Sequence, residues 1–264
     1  MFLTEKQGGS DVGANTVQAE ESQGRWLLSG DKWFCSNADA PTALVLARMP
    51  GDEGALTSGT RGLGLFLVLR NDPPQNHKSW LTHRLKDKLG VRTMASGEIT
   101  FQKTEGYLIG GAGEGFKIMT EMVNMSRLYN AVSSTAIARR AVLEAYCFGE
   151  ERQAFGKKLR DLPLWRACMA DLAAEQIALL FLVFESTRQL DLADNGDDNG
   201  ARLARLMTPL AKALSGKLAV FAASEAMELI GGNAYIEEHI LPRLLRDAQV
   251  LPIWEGTTDR KSVV

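Results

Sequence analysis

The chain is poor in the residues that staple small domains or hold metals. Its three cysteines (Cys35, Cys147 and Cys168) are far apart, odd in number and without a CxxC pair. That excludes a disulfide framework and predicts a reducing, intracellular setting. The three histidines (His77, His83 and His239) have no ligand spacing among themselves or with the cysteines, so no metal site is expected. Neither sign of charge dominates: 30 Lys and Arg stand against 32 Asp and Glu, a net charge of -2. This argues against a strongly basic nucleic-acid protein and leaves only local basic patches open. No uninterrupted apolar run reaches the roughly 18–20 residues of a membrane span. The longest, Ile177 to Phe184, meets Glu185 and Arg188 at once, and no membrane partner is expected. Met1 to Lys6 offers no basic segment leading an apolar one, hence no secretory signal; it reads as the middle of a longer protein. Internal repeats and low-complexity segments are also lacking.

What is present is an ordinary globular composition, 45% hydrophobic and 23% charged over 264 residues. That length predicts two domains of about 100–200 residues. A chain of this size can bury roughly 70–75% of its unfolded surface without staples. The first 110 residues or so have strand character. Trp26 to Phe34 reads as a strand, a turn at Gly30-Asp31 and a second strand, with further short runs at Ala43–Arg48, Gly64–Leu69 and Gly97–Phe101. Gly and Pro clusters punctuate them. After Gly110-Gly111-Ala112-Gly113 the period changes. Phe116, Met119, Met122, Val123, Leu128, Val132, Ile137 and Leu143 recur mostly every three or four residues, predicting a helix from Glu114 to about Glu151. Phe155 to Leu159 breaks it. Helices follow at about Leu162–Ala193, Ala201–Ile230 and Ile240–Gln249, the one at Ala201–Ile230 ending at the cap signature Gly231-Gly232-Asn233. The fold class expected is α+β: a β-barrel-like domain, or pair of packed sheets, followed by an up-down helical bundle.

Three segments could carry chemistry. In Thr4 to Asp11, adjacent glycines let backbone N–H groups approach an anion, and Thr4 and Ser10 can hydrogen-bond a ligand edge. In Lys32 to Asn37, strand alternation puts Trp33 and Cys35 on one face and Phe34 and Ser36 on the other, where they could face a planar ligand. In Ile253 to Thr258, Glu255 lies between Trp254 and Gly256; an apolar wall would raise its pKa toward that of a general base. Taken singly, each reads more simply as a surface turn, a core aromatic or an exposed carboxylate.

Taken in order, they resemble the acyl-CoA dehydrogenase family. Thr4-Glu5 with Gly9-Ser10-Asp11 resembles its TEPxxGSD segment, and Lys32–Asn37 its KxWITN segment. Arg152 to Gly156 matches RxxFG, Ile230 to Tyr235 resembles the GGxGY turn, Leu244 to Asp247 the RDA helix, and Trp254 to Thr257 the YEGT loop. The resemblance covers essentially the whole chain. Thr4–Val12, Leu85–Gly90 and Ile253–Gly256 look especially like the AidB-like branch, linked to the DNA alkylation response.

The resemblance implies an FAD-dependent enzyme that oxidises an acyl-CoA thioester across Cα–Cβ. Glu255 matches the base that removes the α-proton, and its own backbone N–H matches one donor to the thioester oxygen. Thr4, Gly9, Ser10, Phe34, Ser36, Arg152, Phe155, Gly231, Gly232 and Thr257 match cofactor positions; Ser10, Arg127 and Trp254 match the substrate region. Arg152 and Phe155 match residues that reach a neighbouring subunit's FAD, implying a homo-oligomer, a dimer of dimers, with shared sites. The electron acceptor stays open. Lys6-Gln7, Glu228 and Ala234 depart from the family pattern. On this reading residues 1–113 are the middle β domain and 114–258 the C-terminal bundle of a larger protein cut at both ends. Residues 259–264 are expected to be a non-native tail, since Asp-Arg-Lys-Ser-Val-Val translates a common sequencing-adapter sequence. The alternative function is an AidB-like flavin-binding DNA-protection or regulatory protein with vestigial dehydrogenase activity. Its DNA contacts would come through a further C-terminal region, and Arg84, Lys86, Lys88 and Arg92 are its only local support. A metal-bearing bundle would need inward Glu-x-x-His motifs, which are lacking.

Overall fold

A computed structural model describes residues 1–51 and 57–257. The chain divides into two compact units, Met1–Met122 and Val123 onward. The expected tail at 259–264 lies outside the described residues.

The first unit is a closed barrel. Strands β1 (Gln18–Ser22), β2 (Arg25–Ser36), β3 (Thr42–Arg48), β4 (Leu63–Leu69), β5 (Trp80–Leu85) and β6 (Ser96–Ile109) lie in the order β2-β1-β3-β4-β6-β5. A further β2–β6 pairing closes the ring, leaving β5 as an outer strand on β6. A single helical turn, α1 (Asn76–Ser79), leads into β5. The barrel interior holds Val17, Leu28, Val45, Phe66, Val68, Ile99 and Phe101, with Phe2 and Trp80. The Trp80 ring meets Phe2 and Phe101 edge-on at 5.6 and 5.4 Å, a geometry worth about 0.5–1.5 kcal/mol per pair beyond burial.

One expectation is corrected here. Gly30-Asp31 is no turn: β2 runs unbroken from Arg25 to Ser36. Gly30 takes φ +130° inside the strand and still pairs with Phe101, while register shifts on either side, after Leu28 and after Lys32, absorb the irregularity. A glycine inside a strand marks a bulge or a close approach. Both occur, since a Cβ at Gly30 would lie 3.1 Å from Val17 Cα. The same irregularity alters the alternation expected at Lys32–Ser36: Lys32 and Cys35 are buried, Trp33 is half-buried, and Phe34 and Ser36 are exposed. β1 and β5 carry no strand signature in the sequence; both are short and mostly exposed.

The second unit holds three long helices and a short one: α2 (Gly115–Glu151, beginning in the first unit), α3 (Pro163–Asp194), α4 (Asp198–Ile230) and α5 (Ile240–Ala248). Between α2 and α3, β7 (Gln153–Ala154) and β8 (Lys157–Lys158) form a hairpin turned by Phe155 (φ 53°) and Gly156 (φ 73°), the two positive φ values of a tight hairpin turn. Asp197 caps α4, its carboxylate accepting from the Gly200 N–H at 2.6 Å. The core is built from small residues: Ala138, Ala141, Ala145, Ala222, Ala223, Ala226 and Ala234 sit among Met169, Leu172 and Leu241. Alanine surfaces bring helix axes close, and Gly149 carries this to its limit against the Trp165 ring.

α3 and α4 each contain an 18-residue window long and apolar enough to cross a membrane by length and composition. Counting only uninterrupted runs passed over them. The cause is apolar stripes on outward faces, Ile177, Phe181 and Phe184 on α3 and Leu206, Leu210 and Leu214 on α4, added to the inward ones.

Candidate functional site

In the first unit the Thr4–Asp11 segment is tied to the β2 end. The Trp33 N–H donates to the Thr4 carbonyl at 2.9 Å, and Gly9 lies so close over Thr4 that a Cβ would meet its hydroxyl at 2.6 Å. Thr4 and Gly9 are thereby held against the strand at Trp33, next in the chain to the exposed Phe34; Ser36 and Ser10 are exposed as well. The Phe34 ring is 55% exposed. Such an exposed ring, with Trp33 edge-on at 6.4 Å and the Lys86 ammonium 5.0 Å from its centre, could receive a flat polar ligand such as a flavin.

The brace was not foreseen. Glu5 is 1% exposed and its Oε1 sits 2.8 Å from the buried Lys32 ammonium. Its carboxylate also accepts from the Thr16 N–H and hydroxyl, the Val17 N–H and Gln7 Nε2. Burial alone would push the Glu5 carboxyl up; Lys32 and these donors hold it down at about 2. Gln7, a departure from the family pattern, thus has a local partner. The basic run is occupied nearby: Arg84 and Lys86 share Glu98, Lys88 donates to the Met94 carbonyl and Ser96, and Arg92 lies 3.7 Å from Asp87.

In the second unit, Trp254, Glu255 and Thr257 lie on the turn after α5. Glu255 adopts φ 57°, a left-handed conformation unusual for a residue with a Cβ. Burial pushes its carboxyl above the ordinary range although Arg127 and Lys212 are near. Two helices grip this turn by its carbonyls. From α2, Arg127 Nε donates to the Glu255 carbonyl at 3.0 Å and Asn130 to that of Leu251 at 3.0 Å. From α4, Lys212 Nζ donates to the Gly256 carbonyl at 2.5 Å. The Glu255 N–H has no hydrogen-bond partner among the described residues, which leaves it able to donate to a ligand oxygen. Trp254 packs on Ala219 and Leu251 with its indole N–H buried and unpartnered. The Thr257 hydroxyl donates to the Ile253 carbonyl at 3.1 Å.

Arg152, Phe155, Gly231 and Gly232 lie apart from that turn in the chain. Arg152 follows α2, exposed, without an ion-pair partner for its guanidinium among the described residues. Phe155 is 94% exposed at the hairpin tip. Gly231, at φ 84°, ends α4 and exposes its backbone together with Gly232. Ala234 is fully buried and Glu228 exposed. Lys212 escaped the sequence reading because a lysine on an apolar helix carries no motif; only its burial and its bond to the turn reveal it.

The comparisons with known proteins agree with this arrangement of domains. The acyl-CoA dehydrogenase middle-domain model matches residues 1–104 and the C-terminal-domain model residues 113–261. The chain belongs to the acyl-CoA dehydrogenase family. It is similar to acyl-CoA dehydrogenase family member 11 of Caenorhabditis elegans, 38% identical over 98% of this chain and 42% of the relative. It is likewise similar to AidB of Escherichia coli (strain K12), 40% identical over 97% of this chain and 46% of that protein. The crystal structure of C. elegans ACDH-11 in complex with C11-CoA superposes with a TM-score of 0.92, over 97% of this chain and 44% of that one. The chain spans a little under half the length of these relatives.

Proposed function

We propose that the full protein is an FAD-dependent acyl-CoA dehydrogenase with Glu255 as its base. The observation carrying this reading is the Glu255 turn: a half-buried carboxylate with a raised pKa on a left-handed backbone, in a turn whose carbonyls are held by donors from two helices, beside a free N–H. A relative crystallised with C11-CoA supports an acyl-CoA thioester as substrate. An α-proton beside a thioester is too weakly acidic to remove unless charge on the carbonyl oxygen is stabilised. The Glu255 N–H would donate to that oxygen, a contribution of about 10²–10³ in kcat for one donor. The Glu255 carboxylate would take the proton, with Arg127 and Trp254 bordering the acyl group. Thr4, Gly9, Ser10, Phe34, Ser36 and Thr257 would hold the flavin, whose chemistry when bound is to accept the hydride from Cβ. Arg152, Phe155, Gly231 and Gly232 would complete the flavin site of a second copy in a homo-oligomer; the exposed Phe155 tip and unpaired Arg152 support that arrangement.

The test is anaerobic reduction of the flavin in the full-length protein by an acyl-CoA panel. Glu255→Gln should slow bleaching by at least ~10²-fold, the lower end for acid–base catalysis, with flavin retained. Bleaching at the parent rate would remove Glu255 from the reaction. Because the base must be ionised and its pKa is raised, the parent's rate should climb with pH through a point above the ordinary carboxylate value. The DNA-directed alternative lacks an equivalent observation, since its basic run is already paired locally.

A further inference from the structure

Lys212 lies in the middle of α4 and is 3% exposed. Lysine is almost never fully buried without a partner, because removing an ammonium from water costs several kcal/mol. Its hydrogen-bond acceptors are backbone carbonyls of the turn that carries Glu255: Gly256 at 2.5 Å and, more weakly, Pro252 at 3.4 Å. One turn further along α4, Gly216 lets the turn lie directly on the helix; a Cβ there would come within 3.1 Å of Pro252 N. From α2, Arg127 and Asn130 bind the carbonyls of Glu255 and Leu251. The turn is thus held between two helices, one of which uses a buried charge where a shorter neutral side chain would be cheaper to bury.

We propose that Lys212 is a positioning residue: its ammonium, clamped on the Gly256 carbonyl, holds the chain that leaves Glu255 and so keeps the base in its left-handed backbone. The reason lies in the backbone. A residue with a Cβ at φ 57° is held in a minor, uphill well of backbone space. Arg127 fixes the carbonyl of Glu255 and Lys212 that of Gly256; the peptide planes on both sides of Gly256 (φ 105°) are thereby pinned, so the chain leaving Glu255 cannot swing and let that residue relax. A charge-assisted bond is roughly twice as strong as a neutral one, which explains an ammonium at this place. Burial and the nearby Arg127 push Lys212 down to about 8, and Glu255 partly opposes this. The lysine therefore remains largely protonated at neutral pH.

This inference rests on Glu255 being the base, and the experiment separates the two. In the full-length, flavin-loaded protein, Lys212→Met and Lys212→Arg are compared with the parent by steady-state kinetics and by hydrogen exchange of the 253–257 segment. Lys212→Met should lower kcat by about 10²-fold, the cost of a displacement near 1 Å at a reacting group, with KM little changed. Exchange should quicken in that segment and not across α2 to α4. Lys212→Arg, which keeps charge and donors, should recover part of both. If Lys212→Met keeps the parent's kcat and exchange pattern, no clamp exists. If exchange quickens throughout the bundle, or Lys212→Arg is as impaired as Lys212→Met, the residue only supports packing and the proposal fails. Should Glu255→Gln retain turnover, the base assignment falls while the local exchange result still reports on the clamp.

Discussion

Two carboxylates, the buried Glu5 and the half-buried Glu255, are driven in opposite directions by their surroundings. Glu5 meets one ammonium and several N–H and O–H donors and is held at about 2; Glu255 has its cations engaged with carbonyls and is pushed up. Opposed shifts of this kind separate Glu5, a structural carboxylate, from Glu255, the proposed base. The sequence made the second legible, because Trp-Glu-Gly-Thr is a local pattern, and hid the first, because its partner Lys32 is distant in the chain. Glu5 has a depressed folded-state pKa, so its stabilisation is complete above the ordinary value of 4.5 and is lost as pH falls from there through about 2. Acid titration of the barrel domain's unfolding free energy should therefore show a decline across that window. Glu5→Gln should flatten the decline and cost about 3–5 kcal/mol at neutral pH, since it leaves the Lys32 charge buried and alone. An unchanged acid limb in Glu5→Gln would assign the decline to other groups.

At the scale of elements, periodicity located the helices to within a few residues because each buries an apolar face over many turns. Strands were harder. β1, Gln18–Ser22, shows one buried residue in five, and β5 lies outside the closed ring with most of its residues exposed; neither presents the alternation that marks a half-buried strand. The apparent turn at Gly30 failed for a different reason. Glycine next to aspartate favours a hairpin locally, but the long partner β6 pairs on both sides of it and overrides that preference. Gly30→Ala should then destabilise the barrel by more than about 1 kcal/mol, since alanine fits neither φ +130° nor the approach to Val17. Thermal unfolding would measure it. A neutral effect would mean that β2 can shift its bulge to relieve the strain.

At the scale of the whole molecule, the outward stripes on α3 and α4 set the remaining constraint. Phe181 is 71% and Phe184 66% exposed, and large contiguous apolar faces on a soluble surface mark contacts with other chain. The order of domains was readable because a change of period from two to 3.6 is visible in sequence. What covers these stripes was not, since side chains facing a partner and side chains facing a core obey the same spacing. If copies of the protein meet along them, assembly and flavin retention are linked through the exposed Arg152 and Phe155. Phe181→Asp in the full-length protein should then shift sedimentation to a smaller species and release flavin at a protein concentration where the parent holds it. Phe155→Ala should release flavin while leaving the assembled size unchanged, because one ring at a hairpin tip adds little contact area. Flavin loss in both variants with a size change in only the first would place Phe155 at a cofactor across the interface. Retention of flavin by a dissociated Phe181→Asp protein would show that each copy holds its cofactor alone.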